Sequence, residues 1–478
     1  MRTWSTFQQN IFNFVESGEG NAIIKAVAGS GKTTTIVEAL SRVKGNSIFL
    51  AFNKSIAEEL KSRGVNARTF HSLTYSPVMR AIGARSVDSN KLRGIIADTF
   101  SGADARTYGT FCARLVGLAR QAGIGCLIDD TDANWFALVD HHDLEVDGEG
   151  ATIEQGVALA RGLLRDSNEA RSADFDDLLY FAVKNGVSLP KFDFVFVDEA
   201  QDTNAIQRAI LRKIMHSGTR VVAVGDPAQA IYGFRGADSD SMNLIRDEFD
   251  AIELPLTVSY RCPQSVVRFA QQWVEHIEAA PTAQEGAVTA LDAWNATTFE
   301  PTDLVVCRTT KPLIALAYRM LASGVGVKVM GREIGEGLKS TIEKQKAKGI
   351  PALIEKLTAS TARDAEKARA KGRDDRAAAL NDRTDAILCL IEALDENERS
   401  IPALLRLIDR IFNDQRGVTT LATIHKAKGF ESERVYWLNS SQCPSRWARK
   451  DWQKAQEINL CYVAATRAKA ELVLIEDK

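Results

Sequence analysis

Cysteine is sparse. Seven are scattered through 478 residues, at 112, 126, 262, 307, 389, 443 and 461, and no two form a CxxC pair. That spacing argues against a zinc ribbon or an iron–sulfur cluster and points to a reduced, intracellular compartment: the cytoplasm of a prokaryotic or phage-infected cell, or the nucleus of a eukaryote. No run approaches the roughly 18 apolar residues of a membrane-spanning helix, so no membrane partner is expected. The opening MRTWSTFQQN lacks the basic-then-apolar pattern of a signal peptide. Tandem repeats and long Pro/Gly/Ser linkers are absent. There is no excess of either charge, with 60 Lys+Arg against 62 Asp+Glu. That balance neither points to nucleic acid nor excludes it, because a local basic groove can bind phosphates on a neutral protein. What is present is ordinary for a globular chain, 45% hydrophobic and 26% charged residues, in a length that suits roughly two to four domains.

Short β-branched runs recur with helical stretches between them. NAIIKAVA (21–28), SIFLAF (47–52), FVFV (194–197) and RVVAV (220–224) read as buried strands, as do DLVVC (303–307), TLATI (420–424), RVYWL (434–438) and ELVLI (471–475). Buried strands alternating with helices imply α/β architecture with parallel sheets. The first four runs precede residue 250 and the others follow 300, which implies two sheets. Two stretches break the rhythm and read as helical: about 78–175, with a polar DDTDAN turn at 129–134, and about 335–416. Within the second, residues 362–383 are rich in Ala and in both charge signs. They read as a solvated helix or helical hairpin rather than a nucleic-acid arm, because acidic residues dilute the basic ones.

Ala26-Val27-Ala28-Gly29-Ser30-Gly31-Lys32-Thr33 follows the first strand and precedes a helix-like TTIVEALSRV. This is the P-loop pattern, with Ala26 where a glycine is common. Glycines let backbone N–H groups close on phosphate oxygens at a helix N-terminus whose dipole favours anions. Lys32 is placed to reach the β- and γ-phosphates of ATP, and the Thr33 hydroxyl to hold Mg²⁺. FVFV is followed by Asp198-Glu199-Ala200-Gln201-Asp202. A carboxylate after such a strand reaches the metal, and its neighbour orients or deprotonates a water; Asp198 is assigned to the metal and Glu199 to the base. A lone Asp in such a turn reads equally as a helix cap, but that accounts poorly for the whole DEAQD.

DEAQD, GDPAQAIYGFRGA (225–237), SYRCP (259–263), TIHKAKGFE (423–431) and YVAATRAK (462–469) occur in that order. With the P-loop, this series resembles the UvrD/Rep group of superfamily 1 DNA helicases. The short helical stretch before TIHKAKG looks most like the F-box DNA helicase branch and its phage and bacterial relatives. The resemblance covers about 300 residues and is weak across the two helical stretches. It implies two RecA-like domains with ATP between them, each carrying a helical insertion. Domain 1A would comprise 1–77 and 176–255, subdomain 1B 78–175, domain 2A 256–334 and 417–478, and a reduced subdomain 2B 335–416. It also implies an ATP-dependent motor moving 3′→5′ on single-stranded DNA, acting at 3′ tails and forks, with replication or recombination proteins as partners.

Site residues follow from the same resemblance. Gln8 would read the adenine edge, with Thr34 beside the phosphates at a position where many relatives have Arg. Gln229 would sense the γ-phosphate, and Arg261 and Arg467 would reach it. Tyr260 would stack on adenine and Glu431 hold the ribose. An arginine at the γ-phosphoryl group is worth about 10³–10⁵ in rate, or roughly 4–7 kcal/mol. A single-strand track needs aromatics for stacking and polar groups for phosphates. Phe52, Asn53, Lys54, Thr69, His71, Tyr232, Phe234, Arg235, His425 and Lys426 match it, with Phe52 and Phe234 the expected base stackers and core packing the alternative for both. The strand-splitting hairpin that follows the last motif in larger relatives is expected to be missing. The segment holding Arg446, Trp447, Arg449, Lys450 and Trp452 is a candidate substitute. The readings that remain are a helicase, a translocase that strips proteins from DNA, and an ATP-gated binding switch.

Overall fold

A computed structural model describes residues 3–146, 150–233, 236–237, 240–370, 372–394, 396, 399–412 and 418–476. The chain divides into two compact units, Met1–Ala26 with Gly31–Leu256, and Thr257–Lys478 with Val27–Ser30. Each is built on a six-stranded sheet whose pairings are all parallel.

In the first unit the strands are β1 (Asn21–Ala26), β2 (Ser47–Leu50), β3 (Ala67–Arg68), β4 (Phe192–Val197), β5 (Met215–Gly225) and β6 (Ala251–Leu256), in the order β3-β2-β4-β5-β1-β6. Side chains alternate between the two faces of a strand, and here both faces are covered. Ile23, Ile48, Leu50, Val195, Val197, Val221 and Ala223 join one apolar core. Their neighbours Ile24, Phe49, Phe196, Val222 and Val224 join another, with Ile11, Phe12 and Ile36. Continuous apolar runs, rather than alternating ones, follow from that double burial.

Six helices lie between β3 and β4: Phe70–Ile82, Lys91–Thr99, Gly102–Ala122, Asp132–His141, Ile153–Glu169 and Phe175–Lys184. The helical stretch begins at Phe70, earlier than the expected 78, because Thr69 and Ser72 form a reciprocal capping box that starts the first helix there. β1 and β2 also end two residues short of their apolar runs. Val27 opens the turn into the P-loop, with Ser30 N–H donating to its carbonyl, and Asn53 caps the helix Lys54–Ser62 just after β2.

The second unit holds a two-stranded pair, β7 (Val258–Ser259) and β8 (Glu278–Ala279), and the strands β9 (Ala287–Leu291), β10 (Leu304–Cys307), β11 (Val327–Val329), β12 (Thr419–Thr423), β13 (Ser432–Leu438) and β14 (Ala468–Ile475). The sheet order is β11-β12-β10-β13-β14-β9. Helices Arg332–Lys344, Ile350–Ala370, Asp374–Glu392 and Ile401–Ile411 lie between β11 and β12. The charged, alanine-rich 362–383 stretch is a helical hairpin turning at Gly372, whose φ is +72°, with Ala365, Ala368 and Ala377 forming a small buried seam. No described helix is long and apolar enough to cross a membrane.

The strands that the apolar runs missed in the two large sheets are β3, β6, β9 and β11, which are the four sheet edges. An edge strand is covered on fewer sides, so it is short or polar and its sequence carries little apolar signal. β6 shows this, with three exposed positions and Pro255 in AIELPL.

Candidate functional site

β4, β5 and β1 are adjacent in the first sheet and parallel, so the loops leaving their C-terminal ends meet. After β1, Gly29 and Gly31 take left-handed φ values of +72° and +78°. Gly31 caps the helix Lys32–Ser41, which puts Lys32 and Thr33 in its first turn and Thr34 half-buried behind them. After β4 come Asp198 and Glu199, the latter at φ +50°, a strained conformation for a residue with a side chain. After β5 come Asp226 and Gln229.

The groups are close. Lys32 Nζ lies 3.1 Å from Glu199 Oε1, and Thr33 Oγ1 donates to Asp198 Oδ2 at 3.3 Å. Gln229 Nε2 donates to Asp226 Oδ2 at 2.6 Å. Gln8 is buried; its Oε1 accepts from Ser5 N–H in a capping box and its Nε2 donates to Thr35 Oγ1 at 2.9 Å. Burial alone would lower the Lys32 pKa, but Glu199, Asp226 and Asp198 together raise it. Burial, reinforced by Glu199, pushes Asp198 up to about 6, and burial raises Asp226 as well. One lysine thus sits among three carboxylates, and burial makes Asp198 and Asp226 costly to leave charged.

This set fits a nucleotide phosphate and a hard cation. Ser30, beside Ala28 and Gly29 in the loop, is fully buried and its Oγ has no hydrogen-bond partner among the described residues. Left-handed glycines at a helix N-terminus suit an anion, and the adjacent oxygens of Thr33 and Asp198 suit Mg²⁺.

In the second unit Tyr260 is 47% exposed. Next to it, Arg261 Nε donates to Glu431 Oε2 at 2.6 Å and its guanidinium reaches the Thr466 carbonyl at 3.4 Å. Lys469 also pairs with Glu431, at 2.9 Å. Burial would raise the Glu431 pKa, but Lys469 and Arg261 hold it below its ordinary value. Arg467 is buried and donates to the carbonyls of Val463 and Phe430. Glu431 and Arg467 directly precede β13 and β14, at the N-terminal edge of the sheet. His425 and Lys426 directly follow β12, at the opposite edge, where Lys426 pairs with Glu333. The structure therefore groups Tyr260, Arg261, Glu431 and Arg467 and sets His425 and Lys426 apart from them.

Three of the remaining candidates, Phe52, His71 and Tyr232, line a cavity of ≈ 340 Å³ in the first unit, with Asp176, Asp202 and Gln207 among its other walls. Phe52 is not a core residue: it is 45% exposed, and its ring lies parallel to that of Tyr232, with centroids 6.2 Å apart. His71 meets the exposed Phe175 edge-on. Asn53 and Thr69 cap helices, and Lys54 is exposed and pairs with Glu58. Phe234 and Arg235 lie outside the described residues. Phe52 and Thr69 follow β2 and β3, so this group occupies the same sheet edge as the phosphate loop, with β4 and β5 lying between β2 and β1.

Residues that sequence reasoning left without a role include Asp226, within the quoted GDPAQ, Gln201 and Asp202, within DEAQD, and Lys469, within ATRAK. Asp176 had no local signal. It comes from the inserted helix Phe175–Lys184, and its carboxylate carries no hydrogen bond among the described residues.

A glycine-bent loop leaving a central parallel strand, with Lys and Thr opening the next helix and strand-end carboxylates facing them, defines a P-loop protein. Residues 5–250 match the UvrD/REP helicase N-terminal domain and residues 354–478 the UvrD-like helicase C-terminal domain. The chain belongs to the UvrD/REP helicase family. It is similar to F-box DNA helicase protein 1 of Schizosaccharomyces pombe, 26% identical over a 508-residue alignment that takes in 94% of this chain and 55% of that protein. It is also similar to the ATP-dependent DNA helicase PcrA of Leuconostoc citreum, 25% identical over 55% of this chain and 38% of that protein, and to PcrA of Staphylococcus aureus, 27% identical over 55% and 39%. The chain thus spans roughly two-fifths to just over half the length of these relatives.

Burial, then the neighbouring Asp174, pushes Asp176 up to about 6 from 3.8. A carboxyl raised in the folded state favours folding while protonated, and that advantage is lost as pH rises through about 6. Asp176→Asn removes the cost of ionisation. It should raise thermal stability above pH 6 by on the order of 1–2 kcal/mol, after allowance for partial exposure, and change it little below pH 4. Melting curves of both proteins across pH 4–8 test this.

Proposed function

We propose that this protein is an ATP-dependent 3′→5′ single-stranded DNA translocase and DNA helicase that works inside the cell on 3′ tails and forks. The observation that carries the reading is the shared edge of the first sheet. Buried Lys32, Asp198 and Glu199 stand at the ends of β1 and β4, and an aromatic cavity opens beside the ends of β2 and β3. An ATP site and a stacking surface for bases need that proximity if hydrolysis is to drive movement along a strand.

In this reading Lys32 neutralises the β- and γ-phosphates, and Thr33 and Asp198 hold Mg²⁺, which shields phosphate charge when bound. Glu199 orients and deprotonates the attacking water, and Gln229 senses the γ-phosphate. Lys32 and Glu199 are ion-paired, so phosphate binding at Lys32 releases Glu199 for that task. Arg261 and Arg467 supply positive charge to the γ-phosphoryl oxygens, Tyr260 stacks on the adenine, Gln8 reads its edge, and Glu431 holds the ribose. The two inserted groups of helices correspond to subdomains 1B and 2B.

A second reading, a translocase that strips proteins from DNA with little unwinding, draws on the Trp447 segment. The Arg446 guanidinium sits 4.5 Å over the Trp447 ring, both Trp447 and Trp452 are half-buried, and Arg449 pairs with Asp374 of the helical hairpin. Those contacts anchor the segment rather than leave it free as a wedge.

The deciding experiment compares ATP turnover with and without single-stranded DNA, beside unwinding of 3′-tailed and 5′-tailed duplexes. Turnover stimulated by DNA with only 3′-tailed duplexes opened is the expected result. Stimulation without unwinding selects the stripping translocase, and no stimulation removes both.

Two substitutions test the parts. Lys32→Ala should abolish hydrolysis. Glu199→Gln should bind ATP and lose turnover by at least about 10²-fold, the scale of a general base; turnover equal to that of the parent protein would reject the base assignment.

Phe52→Ala should weaken single-strand binding by about 1–3 kcal/mol, the worth of one stacked base, and leave DNA-free turnover nearly unchanged. Anisotropy titration of a labelled oligonucleotide measures the first and a phosphate-release assay the second.

A further inference from the structure

The loop after β4 lies between the two groups that share the sheet edge, and Gln201 is its buried centre, 1% exposed. Its Nε2 donates to Glu199 Oε2 on one side and approaches Asp202 Oδ2 at 3.4 Å on the other. Its Oε1 accepts the Asp226 N–H at 2.9 Å. Gly225, just before Asp226, permits this approach: a Cβ there would come within 2.5 Å of Gln201 Oε1 and 3.0 Å of its backbone nitrogen. Asp202 lines the aromatic cavity. Asp226 holds Gln229, and three residues after Gln229 comes Tyr232, which stacks on Phe52. One carboxamide therefore touches the proposed base, the γ-phosphate-sensing loop and a wall of the cavity.

A buried amide must keep its hydrogen bonds, because leaving a donor or acceptor unmet is costly. Glu199 is shared between Gln201 and Lys32. When phosphate draws Lys32 away, Glu199 loses that ion pair, and an amide that follows a shift of Glu199 has to give up or re-aim its bonds to Asp202 and the Asp226 N–H. We propose that Gln201 is a positioning residue through which nucleotide occupancy and single-strand binding in the cavity alter one another. This rests on the reading of the cavity as the single-strand site and adds the physical link between the two ligands.

The test is a linkage measurement on the full chain, since coupling between two ligands is a ratio of affinities. The dissociation constant for a labelled oligothymidylate is measured with and without a non-hydrolysable ATP analogue. Three proteins are compared: the parent, Gln201→Met, which loses the donors and the acceptor at similar length, and Gln201→Glu, which keeps an acceptor for Asp226 and loses the donors to Glu199 and Asp202. The analogue should change the DNA affinity of the parent at least fivefold. In both variants that ratio should fall below twofold, with kcat reduced and the KM for ATP within about threefold of the parent. The near-isosteric Gln201→Glu decides the matter should Gln201→Met melt early. If both folded variants keep the parental ratio, or if the parent binds DNA with no response to the analogue, the inference is overturned and the DNA reading survives. If the parent binds no single strand, the DNA reading falls and the inference with it.

Discussion

The first unit is organised around the need to keep one buried cation among three carboxylates. Lys32, the Asp198-Glu199 pair and Asp226 follow three strands far apart in sequence, and burial opposes the charged forms of Lys32, Asp198 and Asp226. The lysine keeps its charge because it pairs with Glu199 and lies in the field of Asp198 and Asp226. Breaking such a set by removing one member is expensive, since it strands the rest in a low dielectric. The three parallel strands behind the loops hold the geometry, and both apolar cores serve to keep those strands in register.

The second unit solves a related problem with the signs reversed. Glu431 is one carboxylate between Arg261 and Lys469, while Arg467 donates to the carbonyls of Val463 and Phe430 and to the Thr466 hydroxyl. Arg308, at the end of β10, is gripped by Glu457 of the helix Asp451–Ala465, and Asp382 of the inserted hairpin accepts the N–H groups of Thr310 and Lys311. The hairpin is thus tied to a strand end of its own sheet by backbone hydrogen bonds, which fix direction better than an exposed ion pair does.

Burial on both faces forces unbroken apolar runs such as FVFV and RVVAV, so the central strands were legible in the sequence. The sequence also exposed the P-loop, DEAQD and GDPAQ, because phosphate chemistry demands particular residue types at short, fixed spacing. The four edge strands were not legible, since an edge needs neither apolar faces nor length. Which groups meet is a product of the fold: Gln201 touches Glu199 and the Asp226 amide, Asp176 from an inserted helix lines one cavity with Phe52 and Tyr232, and His425 and Lys426 stand at the edge opposite Glu431 and Arg467. These are juxtapositions of loops joined by strand order and by helices many residues long, and no local pattern encodes the distance between them.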